Sequence, residues 1–189
     1  VNVSTMKSSK FYQSFRAKID HWEGTLSLVS EVLDIITTIQ RKWMYLESIF
    51  KAQDIQRQLP TEYKQFDQVN RMWLDVMRKT AHDPTAIKCG TTPKLLESFE
   101  KANGILDRIQ KQLEDYLETK RQAFPRFFFL SNDELLEILS QARDPQAVQP
   151  HLIKCFDNIK RLDFGSSPTS IEISAMTSQE GEVVPLSKT

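Results

Sequence analysis

The chain has 189 residues, 40% of them hydrophobic and 10% aromatic, enough apolar material for one domain or two small subdomains with a real core, which excludes disorder throughout. Twenty-five lysines and arginines balance twenty-five aspartates and glutamates, so no positive excess points to nucleic acid or to an anionic membrane. No apolar run approaches the ~20 residues that span a bilayer and no charged-then-apolar leader opens the chain, so a soluble, intracellular protein is expected. Its first residue is Val1 and its last residues run out within an apparent strand, so the sequence is expected to be an excerpt.

Phe11, Phe15, Ile19 and Trp22 recur at spacings of four, four and three, which predicts an amphipathic helix from about Ser8, with Gly24 a candidate interruption. Val29, Leu33, Ile36, Trp43 and Phe50 then predict one long helix from Leu26 to about Lys51. Pro60 suits the first turn of a second helix whose buried face carries Phe66, Val69, Trp73 and Met77 and which ends near Thr80. The stretch from Ala81 to Thr92 reads as a loop. Thr92 and Pro93 open a third helix, with Leu95, Phe99, Ala102, Leu106, Ile109, Leu113, Tyr116 and Leu117 on one face.

Phe124 to Leu139, FPRFFFLSNDELLEIL, is the densest segment. Pro125 lacks an N–H and drives Phe124 out of the helical region, which stops the third helix. Phe127, Phe128, Phe129 and Leu130 are expected to run extended with both faces covered. Ser131 then caps a new helix, to about Ala142, with Glu134 at capping-box spacing. If the Phe128 ring is buried, Phe128→Ala costs about 3–5 kcal/mol. The candidate site is therefore a structural junction of Phe124, Pro125, Phe127, Phe128, Phe129, Ser131 and Glu134. Beyond it, Asp144-Pro145 starts a short segment, and Leu152, Ile153, Phe156 and Ile159 mark a last helix to about Leu162. Gly165 to Pro168 links to a hairpin built from Ile171–Met176 and Val183–Leu186, with a turn at Ser178–Gly181 and Pro185 on an edge strand. A lone hairpin is marginal in water, so its packing partners are expected beyond Thr189. The expected fold is mainly α: an elongated multi-helix bundle with a short C-terminal β-hairpin.

Chemistry-bearing constellations are sparse. The five glycines, Gly24, Gly90, Gly104, Gly165 and Gly181, are isolated, and no GxxxxGK[ST] loop cradles phosphate. Cys89 and Cys155 form no CxxC and lack paired histidines, which argues for buried or idle thiols. His21, His82 and His151 fall on different elements. His151 and Cys155 share a helical face, but without a third ligand or an orienting carboxylate they read as a helix-start histidine and a packed cysteine. The neighbours Asp133-Glu134 and Glu114-Asp115 point apart on a helix and do not form an acid–base pair. Lys120 and Arg121 suit a helix C-terminus, which outweighs a nucleic-acid grip built on the phenylalanines; Arg126 is either a solvated arm or an ion-pair partner. No residue is assigned a catalytic, cofactor-binding or metal-binding role.

The strings QRKWMYLESIF (Gln40 to Phe50), DIQRQLPTEYKQFDQVN (Asp54 to Asn70), IQKQLEDYLETKRQAFPRFFFLSNDELLEILSQ (Ile109 to Gln141) and DPQAVQPHLIKCFDNI (Asp144 to Ile159), with SQEGEVV near the end, resemble the linker of dynein heavy chains, most closely the axonemal members. The resemblance covers most of Gln40 to Val184 in the family's order. The first twenty or so residues and the Ala81–Thr92 loop carry no matching signature. It implies a layout in which residues 1–24 enter from the preceding tail or linker start, 25–164 form helical linker subdomains, and 165–189 are a loop and a truncated hairpin. It also implies a force-transmitting arm with no catalysis of its own, lying across a downstream AAA+ ring of the same polypeptide that binds ATP and magnesium and drives a power stroke along microtubules. The implied partners are that ring and, through the full chain, dynein intermediate and light chains and microtubules, with no nucleic acid and no membrane. The implied setting is the cytoplasm and cytoskeleton, in the ciliary or flagellar axoneme. The alternative is a free-standing helical scaffold or protein-interaction module whose grooves hold a partner helix, against which stand the truncated ends and the hairpin without a sheet. An enzyme in its own right is the weakest reading.

Overall fold

The structure is a computed structural model that describes residues 2–141, 144–165 and 172–187. In chain order, α1 is Asn2–Lys7, α2 Tyr12–Phe50, α3 Gln53–Gln58, α4 Pro60–His82, α5 Ala86–Gly90, α6 Leu95–Ala123, α7 Asn132–Ser140 and α8 Leu152–Cys155. Two 3-10 helices cover Pro125–Phe129 and Pro145–His151, and the strands are β1 Arg161–Phe164, β2 Ile173–Thr177 and β3 Val183–Pro185. The protein is mainly α, as the spacing predicts.

The chain divides into two compact units, Val1–Glu47 with Thr61–Gln110 and Ser48–Pro60 with Lys111–Thr189. In the first, Val32, Ile39 and Leu46 of α2, Phe66, Val69 and Trp73 of α4, and Phe99, Leu106 and Ile109 of α6 are buried together. Trp73 is the middle of an aromatic chain, 5.9 Å from the Trp43 ring and 6.1 Å from Phe99. The polar ends of this core are satisfied: the Trp43 indole N–H donates to Asn70 Oδ1 (2.9 Å), and Lys42 donates to Asn103 Oδ1 (2.7 Å) and pairs with Asp107.

Gly24 does not interrupt α2. One glycine costs a helix only about 1 kcal/mol, which the flanking turns offset. The first helix starts at Tyr12 rather than Ser8, and Ser8 and Ser9 belong to the turn after α1. The stretch from Ala81 to Thr92 is not simply a loop, because α4 runs on to His82 and α5 folds back onto α2. Gly90 is buried there, and a Cβ on it would come within 2.7 Å of Val29 Cγ2 and 2.9 Å of Val29 Cα. Thr92 does not cap α6. Its hydroxyl donates backward to the Lys88 carbonyl (2.9 Å), and Lys94 takes a φ of 62° before α6 begins at Leu95.

In the second unit, Phe50, Ile55, Leu59, Leu113, Leu117, Leu130, Leu135, Leu136, Leu152 and Cys155 form the core. Tyr116 hydrogen-bonds Gln58, and the Gln56 amide donates to the Phe50 carbonyl (2.6 Å), so α3 is fixed to the end of α2. The last helix ends at Cys155, not near Leu162. Phe156 is extended (φ −142°, ψ 125°), and residues 161–164 form β1. The Gln149 side chain donates to the Leu162 carbonyl (2.7 Å) and accepts from its N–H (2.9 Å), which holds that segment extended.

The expected hairpin is therefore part of a three-stranded antiparallel sheet in the order β1-β2-β3, with Leu162 opposite Met176 and Met176 opposite Val184. Gly181, at φ 90°, makes the β2–β3 turn possible, and the Ser178 N–H donates to the Glu182 carbonyl (2.9 Å) across it. Pro185 lies on the edge strand β3, where its missing donor is tolerated. The expected linker from Gly165 to Pro168 lies outside the described residues after Gly165, as do Ile171 and Ala142.

Two of the helical glycines, Gly90 and Gly104, provide a paired test of this packing. Gly90→Ala is expected to destabilise the segment by about 1–3 kcal/mol through overpacking against Val29. Gly104→Ala, in α6 with open space around it, is expected to stabilise by about 0.5–1 kcal/mol. Denaturant unfolding measures both, and equal shifts at the two positions would remove close packing as the explanation.

Candidate functional site: the aromatic junction

Helix α6 ends where proline chemistry requires. The Phe124 N–H still bonds the Lys120 carbonyl (3.0 Å), but Phe124 itself is extended (φ −136°, ψ 94°), as a residue before proline must be. Pro125 then opens a 3-10 turn rather than an extended run. Phe127 N–H donates to Phe124 O (2.9 Å) and Leu130 N–H to Phe127 O (3.1 Å). The expectation of an extended Phe127–Leu130 segment is thus corrected: a proline at the first helical position already has helical φ and supplies the turn.

Burial is corrected as well. Leu130 is the residue that enters the core, while Phe128 is 56% and Phe129 69% exposed. Phe124 lies on the surface too, with its ring edge-on to Phe127 at 4.9 Å. A 3-10 turn has three residues per turn, so a run of three phenylalanines cannot place all its rings on one face.

Polar contacts hold the junction instead. Arg121 donates to the Leu130 carbonyl (3.1 Å) and to Asn132 Oδ1 (2.8 Å), joining the end of α6 to the start of α7. Arg126 is not a free arm, and among the described residues it forms no ion pair. It donates to the Cys155 carbonyl (2.8 Å) and stacks over the Phe156 ring at 4.4 Å, closing the C-terminus of α8. Ser131 and Glu134 form the expected capping box: the Glu134 N–H donates to Ser131 Oγ (3.3 Å), and the Ser131 N–H donates to Glu134 Oε2 (2.9 Å).

Sequence reasoning missed the third member of that box. Lys154 of α8 pairs with Glu134 from 20 residues away, and no spacing rule signals a contact of that separation. The Lys154 ammonium, followed by the Ser131 N–H and hydroxyl, holds the Glu134 carboxyl well below the usual carboxylate range, at about 2.

His151 and Cys155 are both buried beside this junction. Burial pushes the Cys155 thiol up, against the opposing effect of Arg126, so it is not a ready thiolate. His151 Nε2 lies 3.4 Å from a Glu137 carboxylate oxygen without hydrogen-bond geometry. Among the described residues no group of three or more His, Cys, Asp or Glu is placed to hold a metal, and no helix is long and apolar enough to cross a membrane. What the arrangement does is join the ends of three helices, α6, α7 and α8, through charged hydrogen bonds, with the rings of Phe124, Phe128 and Phe129 left on the surface.

These elements define a helical structural module with a small antiparallel sheet. The family model for "Dynein heavy chain, N-terminal region 2" matches residues 1–189, and the chain belongs to this family. It is 50% identical to human dynein axonemal heavy chain 6 across 100% of its own length, and 52% identical to mouse dynein axonemal heavy chain 2 across 97%. It is 49% identical, across 98% of its length, to the Chlamydomonas reinhardtii dynein-1-beta heavy chain of the flagellar inner arm I1 complex. The chain spans only 4–5% of the length of these relatives.

Two measurements test the junction. Phe128→Ala is expected to change stability by no more than about 0.5 kcal/mol, whereas Leu135→Ala, at a fully buried position, is expected to cost about 2–5 kcal/mol. Thermal unfolding separates them, and a large loss at Phe128 would restore the buried ring. For Glu134 the folded-state pKa is depressed, so its stabilisation is present above the unfolded value of ~4.3 and is lost as pH falls toward about 2. Glu134→Gln is therefore expected to unfold more readily than the native chain at neutral pH, with the difference closing as the pH is lowered. A gap that persists at the acid end would assign the effect to something other than this carboxylate.

Proposed function

We propose that the chain is part of the mechanical linker arm of an axonemal dynein heavy chain and passes force without catalysing a reaction itself. The observation that carries this reading is α6, a 29-residue helix with one continuous buried seam, in a chain that matches the N-terminal region 2 of dynein heavy chains from end to end. A helix of that length spans about 43 Å, and its packed face resists bending by distributing load over many side chains. In this reading ATP and magnesium act in an AAA+ ring elsewhere in the same polypeptide. The arm's partners are that ring and, through the whole heavy chain, intermediate and light chains and microtubules. The setting is the axoneme of a cilium or flagellum. The aromatic junction serves as a brace, since charged hydrogen bonds fix the three helix ends at defined angles.

The test uses the full-length heavy chain carrying Leu106→Ala and Ile109→Ala in the α6 seam, each expected to weaken local packing by about 2–5 kcal/mol. Microtubule gliding is expected to slow while ATP turnover persists. Unchanged gliding, or turnover falling in step with it, would overturn the mechanical role.

A further inference from the structure

The N-terminal half of α2, with Phe11 just before it, carries an apolar stripe that its own unit leaves largely exposed. Phe11, Phe15, Trp22, Leu26 and Leu33 are each 45–63% exposed. At 100° per residue they fall within an arc of about 60°, over roughly 33 Å of helix. Such a stripe is long for a solvated helix face.

Helix α1 already covers its lower part. Lys7 pairs with Asp20 (3.4 Å) and with Glu23, and Val3 and Met6 line a cleft of about 300 Å³ with Phe15, Ile19 and Trp22. Asn2, Val3 and Ser4 share a second cleft with Glu23, Leu26 and Ser27. The contacts thus advance along α2 as α1 is followed backward, so the two helices run antiparallel. A helix continuing the line of α1 on the N-terminal side of Asn2 would lie over Leu26 and then Leu33. Asp34 stands eleven residues after Glu23 on nearly the same face, exposed and without an ion-pair partner among the described residues. It offers the next helix the position that Glu23 offers Lys7.

We propose that the face from Leu26 to Leu33 is a docking surface for a helix of the same heavy chain that precedes Val1. This helix extends α1, places apolar residues at three-four spacing on the two leucines and sets a lysine or arginine opposite Asp34. The polypeptide available is ample, since the matched relatives are some twenty times longer and the matched region is the second of their N-terminal regions. The inference rests on the chain being one segment of a longer heavy chain, not on its carrying force. The two fail separately, because a cross-link reads contact whereas gliding reads transmission.

The experiment places a photoreactive benzoyl-phenylalanine at Leu33, Leu26 or the opposite-face Glu31 in the full-length heavy chain, and identifies the linked peptides by mass spectrometry. Leu26 and Leu33 are expected to link to residues preceding Val1 in the same polypeptide. The partner of Leu33 is expected about seven residues further from Val1 than that of Leu26, because both helices rise equally per residue. Asp34→Lys is expected to reduce the Leu33 link. Cross-links to another polypeptide or a second copy, equal yield from Glu31, the reverse register, or no link at all would overturn the proposal.

Discussion

The buried seam of α6 is the constraint on which the rest of the structure depends. Leu95, Phe99, Ala102, Leu106 and Ile109 lie in the core of the first unit, and Leu113 and Leu117 lie in that of the second. Seven side chains at three-four spacing leave the helix one way to face its neighbours, since a rotation of one residue would turn most of them into water. The partners are chosen to match. Trp73 meets Phe99 from α4, and in the other unit Leu135 and Leu136 are drawn into the same core as Leu117. The charged surface of α6 adds little by comparison, because pairs such as Glu97–Lys101 are exposed and screened by water.

The junction after α6 shows a different kind of organisation. Its sequence is dominated by phenylalanine, yet its geometry is set by Arg121, Arg126, Glu134 and Lys154, each of which contacts a backbone carbonyl, a helix cap or an opposite charge. Charged hydrogen bonds are directional and hold their partners at short, defined distances. A joint built from them holds a defined angle, whereas a joint built from rings alone allows sliding. The exposed Phe128 and Phe129 are therefore not what keeps the three helix ends together.

The long helices were legible from sequence because their evidence is repeated. In α4, Phe66, Val69 and Trp73 each report the same buried face, and Pro60 marks its first turn. The capping box was legible for a related reason, since both partners lie within one turn. The remainder depends on contacts between distant segments. Nothing local distinguishes Phe156–Leu162 from a helical turn, and only the bonds from Gln149 to Leu162 and the pairing of β1 with β2 make it extended. Apolar character does not by itself locate Phe128 and Phe129, because a large share of any folded surface is apolar. The contacts of Arg126 and Lys154 are not legible because their partners, Cys155 and Glu134, lie 29 and 20 residues away.

The side chain of Gln149 has an effect beyond the extended backbone it stabilises. With the order β1-β2-β3, β1 is an outer strand, and Leu162 directs its N–H and carbonyl away from β2 toward the glutamine amide. That amide presents one donor and one acceptor, as a neighbouring strand residue would. It therefore occupies the position at which the edge of another chain's sheet would add on. An outer strand already paired with a side chain of its own polypeptide is protected against adding a strand from another chain.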